Sequence, residues 1–253
     1  MSSPSTTHAT QTQTQQNATN SIIQVSGIEP QICYIGNEQT PIIIIDNFAD
    51  DIAPLLSIAR QQAKFIKDDS SYYPGVRAPL PNPYAIEVIN QVFQLVYDVY
   101  KVPHHLRIKP QILSFSLISQ SPDSLMPLQR LPHFDTPEPY YFAILHYLND
   151  APHGNTAFFR HKKTGYERVN EAKMDHYFES AKAFLTDHAK DTPEYFVKSD
   201  PHYDIYHQVE YKPNRLVIYP GNLLHSTLVD LNTDIDDDPS TGRLTANIFI
   251  NFK

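Results

Sequence analysis

The spacing of apolar residues divides the chain into an early helical part and a later part of alternating strands. Residues 41–46, PIIIID, are rich in β-branched side chains and predict a buried strand. Apolar residues three or four apart predict one helix over 49–65 and a clearer one over 83–101, in which Ile86, Ile89, Phe93, Val96 and Tyr100 form the stripe. Four prolines within 71–84 predict a loop between the two helices.

After residue 107 the apolar residues alternate with a period of two, which is typical of strands with one buried face. Strands are predicted around Phe115, around Ala143, and over 155–161, 206–211, 215–220, 223–229 and 243–252. A weaker helical stripe at 168–187 lies within a helical insertion at about 166–202. Helices followed by about eight strands favour a mainly β fold with flanking helices, a double-stranded β-helix or jelly roll.

Composition adds limits to this picture. Residues 1–20 are rich in Ser, Thr and Gln and predict a disordered tail, which leaves 21–253 as one domain. A net charge of −8 provides no basic field for nucleic acid or anionic lipid. The single cysteine, Cys33, excludes an intramolecular disulfide and a thiolate cluster. The sequence shows neither a membrane span nor a signal peptide, so a cytoplasmic location is the default expectation.

The stretch LPHFDTPEPYYF places His133 and Asp135 two residues apart. In an extended strand these side chains point the same way, and an imidazole and a carboxylate can then share a metal ion. A His-x-Asp triplet also arises by chance, so a third ligand is required. His225, in the predicted strand after the Pro220-Gly221 turn, can meet the pair across a sheet. Two histidines and one carboxylate suit Fe(II) with open positions, and also Mn or Zn.

Arg243 suggests which small molecule such a site would bind. It lies at the start of the last predicted strand, GRLTANIFINF, and an arginine pointing into an apolar barrel needs a buried carboxylate partner. A bound dicarboxylate provides one in bidentate geometry. The alternative is a surface cation that pairs with the acidic loop NTDIDDDPSTG, which we expect to be solvated.

These blocks together resemble the Fe(II)/2-oxoglutarate-dependent oxygenase superfamily, on its prolyl-hydroxylase-like branch: HFD, AILHYLND, GNTAFFRH, KPNRLVIYPGNLLHST and GRLTANIFI, in the family's order. More closely, YYPGVRAPLP and TAFFRHKKTG resemble an uncharacterised bacterial subfamily often encoded near tryptophan halogenases. The resemblance implies that His133, Asp135 and His225 bind Fe(II) and that Arg243 binds the distal carboxylate of 2-oxoglutarate. It also implies that Tyr147 hydrogen-bonds this cosubstrate.

The implied activity is that of a dioxygenase that uses O2 to hydroxylate a small molecule or an amino-acid side chain, with desaturation left open. Arg77 and Tyr73, in the proline-rich segment, are candidate substrate contacts, Arg77 through a substrate carboxylate. Two intervals are longer than the family's: Asp135 to His225, because of the helical insertion, and His225 to Arg243, because of the acidic loop. Two alternatives remain, a non-catalytic jelly-roll binding module and a cupin-like oxygenase that needs no keto acid.

Overall fold

The computed structural model describes residues 21–67, 71–150 and 152–253, and two antiparallel sheets dominate it. The predicted disordered tail at 1–20 lies outside the described residues. Within them, the larger sheet has eight strands in the order β1-β2-β9-β6-β11-β5-β4-β3. Its strands are β1 (Gln31–Ile35), β2 (Thr40–Ile45), β3 (Ile66–Lys67), β4 (Gly75–Pro79), β5 (Ile108–Ile118), β6 (Tyr141–Tyr147), β9 (Leu216–Pro220) and β11 (Thr245–Phe252).

The smaller sheet packs against one face of the larger one. In the described chain it has three strands in the order β10-β7-β8: β7 (Thr156–His161), β8 (Tyr203–Val209) and β10 (His225–Thr227). Phe158 and Val209 from this sheet share a buried cluster with Ala143, Val217 and Tyr219 from the larger sheet. The prediction of a mainly β fold is therefore confirmed.

Helices cover the opposite face of the larger sheet. Helix α1 spans Ala53–Gln61 and helix α2 spans Asn82–Tyr100, while α3, Glu171–Asp187, packs against the smaller sheet. The first turn of α2 contains a proline, which has no backbone N–H. The helix tolerates it there because N–H groups of the first turn have no partner within the helix. The side chain of Asn170 accepts a hydrogen bond from the Lys173 backbone at 3.1 Å and caps α3.

The predicted stripe of α2 was only partly right. Ile86 is 57% exposed and Phe93 is 41% exposed, whereas the buried face consists of Tyr84, Ala85, Val88, Val92 and Val96. These residues pack on the sheet face that carries Ala246 and Ile248. The predicted stripe and the buried face share only Val96, while Ile89 and Tyr100 pack at the margin of the core.

The loop predicted over 71–84 was only partly right, because residues 71–74 and 80–81 form no helix or strand but the residues between them do. Residues Gly75–Pro79 form β4, which pairs with β5 from Gly75 opposite Ile118 to Pro79 opposite Ser114. A Cβ added to Gly75 would lie 1.9 Å from the Leu117 carbonyl oxygen, so only glycine permits this close approach. Of the four prolines, only Pro79 falls within the strand, at its end.

Other strand predictions differ from the structure at their limits. The predicted strand at 223–229 is reduced to β10, and Arg243 lies two residues before β11 rather than within it. No helix in the described ranges is both long and apolar enough to cross a membrane.

Candidate metal centre

His133 and His225 are paired through their backbones. The His133 N–H donates to the His225 carbonyl at 3.0 Å, and the His225 N–H donates to the His133 carbonyl at 2.8 Å. This isolated antiparallel bridge extends the smaller sheet beyond β10. Directly opposed residues in such a pair project their side chains from the same face, and the two imidazole centroids lie 4.5 Å apart.

The turn before β10 holds Asp135 beside this pair. The Asp135 N–H donates to the Gly221 carbonyl at 2.7 Å, and the Gly221 N–H donates to the Tyr141 carbonyl at 2.8 Å. A Cβ on Gly221 would meet the Tyr141 ring at 2.6 Å and an Asp135 carboxylate oxygen at 3.3 Å. Glycine therefore lets the turn pass close behind the carboxylate.

The structure brings the three predicted ligands together. One donor atom from each of His133, Asp135 and His225 lies within 4.8 Å of the other two. The nearest measured approach joins His225 Nε2 and an Asp135 carboxylate oxygen at 3.9 Å. His225 is buried, whereas His133 and Asp135 are reached from solvent, although only 17% of the Asp135 side chain is exposed.

The tautomer of His225 is set by its own turn. Its Nδ1 lies 2.8 Å from the Leu223 carbonyl oxygen, which can only accept, so Nδ1 carries the proton. The Nε2 lone pair is then left toward Asp135 and His133. An imidazole held by a backbone carbonyl in this way is a typical arrangement for a metal ligand.

The surroundings favour neutral imidazoles. Burial lowers the pKa of His225 to about 4, and desolvation by the surrounding side chains, together with the neighbouring His225, lowers the pKa of His133 to about 4. Desolvation also raises the pKa of Asp135, which keeps some contact with solvent, to about 6. A cation bound between the three side chains would offset the desolvation cost of the charged Asp135 carboxylate. It would also accept a nitrogen lone pair from each of the two neutral imidazoles.

Arg243 is within electrostatic reach of Tyr219, whose ring packs against His225. Its side chain is buried, with the residue only 3% exposed, and its Nε donates to the Gly154 carbonyl at 2.8 Å. Its Nη2 is buried without a hydrogen-bond partner in the described structure. The alternative of a surface cation paired with the acidic loop is therefore wrong. A buried guanidinium with an unpaired donor favours an anionic ligand.

The acidic loop nevertheless reaches this arginine indirectly. Asp234 is fully buried and accepts hydrogen bonds from His153 Nδ1 at 3.0 Å and from the Gly154 backbone at 3.0 Å. Gly154 in turn provides the carbonyl that holds Arg243. The expectation of a solvated loop is therefore wrong at Asp234, because this side chain is buried and its hydrogen bonds hold the loop to the His153–Gly154 segment.

The face of β5 and β11 turned toward the smaller sheet carries four buried polar residues: Ser114, Ser116, Thr245 and Asn247. The Asn247 amide donates to the Ser116 hydroxyl at 2.9 Å, while its amide oxygen is buried without a partner in the described structure. Alternation with Phe115 and Leu117 could have indicated this face from the sequence.

Tyr147 lies beside Arg243 on β6. Its ring centroid is 5.5 Å from the guanidinium carbon, and its hydroxyl donates to the Thr156 hydroxyl oxygen at 2.7 Å. Its neighbour His146 faces the helices instead, as alternation predicts, and bonds Tyr84 and Asn214. The structure therefore places Tyr147 near the candidate cosubstrate site and His146 outside it.

The two candidate substrate residues pack against each other. The Arg77 guanidinium carbon lies 4.3 Å from the centroid of the Tyr73 ring, and Arg77 opposes Ser116 across the β4–β5 ladder. Burial raises the pKa of Tyr73 to about 12, against the opposing effects of Arg243, Arg77 and Ser116. The charge of Arg77 acts on both His133 and Asp135, so the guanidinium is within electrostatic reach of the centre.

Sequence reasoning missed Tyr219. This residue on β9 is 2% exposed, and its ring packs edge-on against the His225 imidazole with centroids 4.9 Å apart. It shares the inward face of β9 with Val217. The signal was present, because RLVIYP places Tyr219 and Val217 two residues apart, but the predicted strand did not show which face is inward.

The chain belongs to a family described as "Family of unknown function (DUF6445)", whose model matches residues 26–250. No curated protein sequence matches the chain.

Three solved structures show weak similarity to the chain. HygX from Streptomyces hygroscopicus, with nickel and 2-oxoglutarate bound, is 13% identical over 85% of this chain and 84% of its own, with a TM-score of 0.47. AviO1 from Streptomyces viridochromogenes is 12% identical over 89% of each chain, with a TM-score of 0.38. An N-substituted L-amino acid dioxygenase from Burkholderia ambifaria is 10% identical over 89% of this chain and 94% of its own, with a TM-score of 0.36.

Proposed function

We propose that the protein is an Fe(II)/2-oxoglutarate-dependent oxygenase that hydroxylates a small molecule or an amino-acid side chain. One observation carries the proposal: His133, Asp135 and His225 converge within 4.8 Å. A buried arginine with an unpaired donor supports it, because Tyr219, whose ring packs against His225, is within electrostatic reach of Arg243. The proposed architecture is a double-stranded β-helix, with the site between its two sheets.

The residues present fit both the metal and the cosubstrate. Two neutral imidazoles and one carboxylate leave coordination positions open for a bidentate keto acid and O2. The unpaired Nη2 of Arg243 fits the far carboxylate of a dicarboxylate. When bound, Fe(II) with 2-oxoglutarate supplies oxidative decarboxylation of the keto acid to succinate and CO2, coupled to oxidation of a substrate C–H bond.

Each side chain then has a role that follows from its contacts. His133, Asp135 and His225 hold the metal, and Leu223 fixes the His225 imidazole through its Nδ1 proton. Arg243 binds the cosubstrate carboxylate, and Tyr147 remains a predicted cosubstrate contact from beside the guanidinium.

Arg77 and Tyr73 are proposed to contact the substrate. Their stacking keeps a cation close to the metal site on the β4 side, where it favours a substrate with a carboxylate or another anionic group. Arg77→Ala should raise the Michaelis constant for such a substrate and leave 2-oxoglutarate binding unchanged. An unchanged Michaelis constant would remove Arg77 from the substrate site.

The experiment that tests the function adds 2-oxoglutarate to the anaerobic Fe(II) protein and follows the weak visible charge-transfer band of a chelated keto acid. The band should be absent in His225→Ala and should require more 2-oxoglutarate in Arg243→Ala. His176→Ala, at an exposed position on α3, serves as a matched control and should retain it. Iron binding without a band in the wild type would favour a keto-acid-independent oxygenase or a binding module.

A further inference from the structure

Residues 167–169, just before α3, pair with residues 222–224, just before His225. Two backbone hydrogen bonds of 2.8 Å form this pair: from the Leu224 N–H to the Glu167 carbonyl and from the Val169 N–H to the Asn222 carbonyl. This isolated antiparallel bridge connects the helical insertion to the segment that leads into a candidate metal ligand.

The bridge sets the direction of the Leu223 carbonyl. Leu223 opposes Arg168 between the two hydrogen bonds, and residues in that position turn their backbone groups away from the partner segment. The Leu223 carbonyl is thus left for the His225 imidazole, whose Nδ1 donates to it at 2.8 Å. The bridge and the tautomer of His225 are therefore parts of one hydrogen-bonded arrangement.

The Glu167 carboxylate anchors the bridge to the turn between β1 and β2. It is fully buried and accepts hydrogen bonds from the Asn37 and Glu38 N–H groups, both at 2.9 Å, and from Arg160 Nε at 2.8 Å. The turn fits closely around it, because a Cβ on Gly36 would collide with a carboxylate oxygen. Movement of this acid would leave a buried charge and its donors without partners, so the carboxylate holds its place.

Glu38, in the same turn, holds the bridge segment a second time. Its carboxylate lies 3.0 Å from Arg168 Nε and 2.9 Å from Lys173 Nζ. These three side chains are partly exposed, so their ion pairs contribute less than the buried one. The Glu167 carboxylate is therefore the main link between the β1–β2 turn and the bridge.

We propose that Glu167 is a positioning residue of the metal centre. Through the bridge, its carboxylate sets the place of the Leu223 carbonyl and so the orientation of the His225 imidazole. The inference rests on the metal site of the proposed function. Groups that orient a metal ligand change metal binding by about tenfold or more, so loss of the carboxylate should weaken binding although Glu167 is not itself a ligand.

The test compares Glu167→Gln with the wild type in the full chain, with Zn(II) as the metal. The amide places an NH2 group where the carboxylate accepts hydrogen bonds, so one donor of the turn or Arg160 loses its acceptor. A competition titration with a chromophoric chelator should show Zn(II) binding about tenfold weaker. In NMR spectra of the isotope-labelled Zn(II) protein, the His225 Nδ1 proton should exchange with water faster, because the Leu223 carbonyl is less firmly held.

Val88→Ala controls for a general loss of stability. Val88 is fully buried on α2, in the cluster on the opposite face of the larger sheet. The variant should lower the melting temperature but keep the wild-type Zn(II) affinity and the slow exchange of the His225 proton. If it weakens Zn(II) binding as much as Glu167→Gln, the effect comes from stability and the inference is overturned.

A second pair of variants tests the same link if Glu167→Gln does not fold. Gly36→Ala places a Cβ against the Glu167 carboxylate, whereas nothing in the described chain lies within 4 Å of the Cβ that Gly165→Ala adds. Both glycines have a positive φ, 67° and 73°, so the backbone strain is matched. Gly36→Ala should weaken Zn(II) binding and Gly165→Ala should not; equal affinities in these two variants overturn the inference.

The remaining outcomes separate this inference from the proposed function. A Zn(II) affinity that is equal in the wild type and in His225→Ala overturns the metal site and the inference with it. Wild-type affinity and slow proton exchange in Glu167→Gln overturn the inference alone and leave the three ligands in place.

Discussion

His133 and His225 exchange two backbone hydrogen bonds, of 3.0 Å and 2.8 Å, and this pairing rather than any side-chain contact brings their imidazoles to the same face. A shift of one residue in the pairing would move one imidazole to the opposite face. The geometry of the centre therefore depends on the short segment that joins the Gly221 turn to β10. Substitutions in that turn should affect metal binding without touching a ligand.

Gly221→Ala should weaken metal binding by about tenfold or more, in the range seen when groups that orient ligands are changed. The added Cβ would meet the Tyr141 ring at 2.6 Å and press on Asp135 at 3.3 Å, so the carboxylate must move. The measurement is a competition titration with Zn(II) and a chromophoric chelator. Gly27→Ala is the matched control, because nothing lies within 4 Å of its added Cβ; equal affinity in the two variants would contradict the role of the turn.

Asp234→Asn should weaken 2-oxoglutarate binding by about fivefold, in line with the loss of one or two hydrogen bonds that hold Gly154. The Gly154 carbonyl positions the Arg243 guanidinium at 2.8 Å, so loosening this segment displaces the guanidinium. Calorimetric titration of the metal-loaded protein measures the effect. Asp237→Asn, at an exposed position in the same loop, should bind like the wild type.

Asp234 also makes a pH-dependent contribution to stability. Burial opposes its ionisation, but the His153 hydrogen bond, the Arg243 charge and backbone N–H groups outweigh burial and lower its pKa below the ordinary 3.8. Its stabilising contribution is complete above pH 3.8 and is lost as the pH falls through the lowered pKa. Asp234→Asn should thus be less stable than the wild type at neutral pH, and urea titrations should show the difference shrinking below about pH 3.8. A constant difference down to pH 2 would contradict this account.

His146 should make stability depend on pH in a higher window. Burial lowers its pKa from 6.5 to about 4, so the unfolded chain binds a proton that the folded chain excludes. The free energy of unfolding loses nothing to His146 above pH 6.5. It falls by roughly 3 kcal/mol as the pH drops from 6.5 towards 4. Urea unfolding at pH 7 and pH 5 should show a smaller difference for His146→Gln than for the wild type. His176→Gln, at an exposed position, should keep the wild-type difference.

Glu167 is a buried acid whose loss should be costly. Its carboxylate is fully buried and accepts hydrogen bonds from the backbone of Asn37 and Glu38, both at 2.9 Å, and from Arg160 Nε at 2.8 Å. Glu167→Ala should reduce the free energy of unfolding by about 3 to 5 kcal/mol, because Arg160 and two backbone donors lose their acceptor.

The matched control is the exposed Lys162–Asp204 pair, with side chains 39% and 43% accessible. Asp204→Ala should cost less than about 1 kcal/mol. Equal costs in the two variants, measured by chemical denaturation, would show that Glu167 is not the anchor that its contacts indicate.

Local patterns predicted most of the secondary structure. The helical spacing predicted α2 to within a residue at each end, since Asn82–Tyr100 replaces 83–101. Period-two alternation predicted that Phe115 and Leu117 share a buried face, which packs toward the helices. These features depend on the local periodicity of apolar residues and little on distant residues.

Features that depend on distant partners were not predictable. β4 forms because β5 supplies a hydrogen-bonding edge, which overrides the prolines of its own sequence. The buried face of α2 depends on which side chains the sheet accommodates. The role of Asp234 follows from its contact with Gly154, a residue far away in the sequence.

In the candidate site, too, local pattern predicted some features and distant contacts determined others. Residue types and spacing predicted His133, Asp135, His225 and Arg243; the structure brings the first three together and buries the arginine. The extended strand expected at His133 and Asp135 did not form: His133 lies at an isolated bridge and Asp135 at a bend whose backbone bonds Gly221. The approach of His225 required the backbone bridge, which no local pattern shows.

The most direct test of the central claim is a crystal structure grown anaerobically with Mn(II) in place of iron and with 2-oxoglutarate. The account predicts one ion bound by His133, Asp135 and His225, chelated by a keto acid whose far carboxylate meets Arg243. An ion bound elsewhere, or a keto acid whose carboxylate does not meet Arg243, would contradict it.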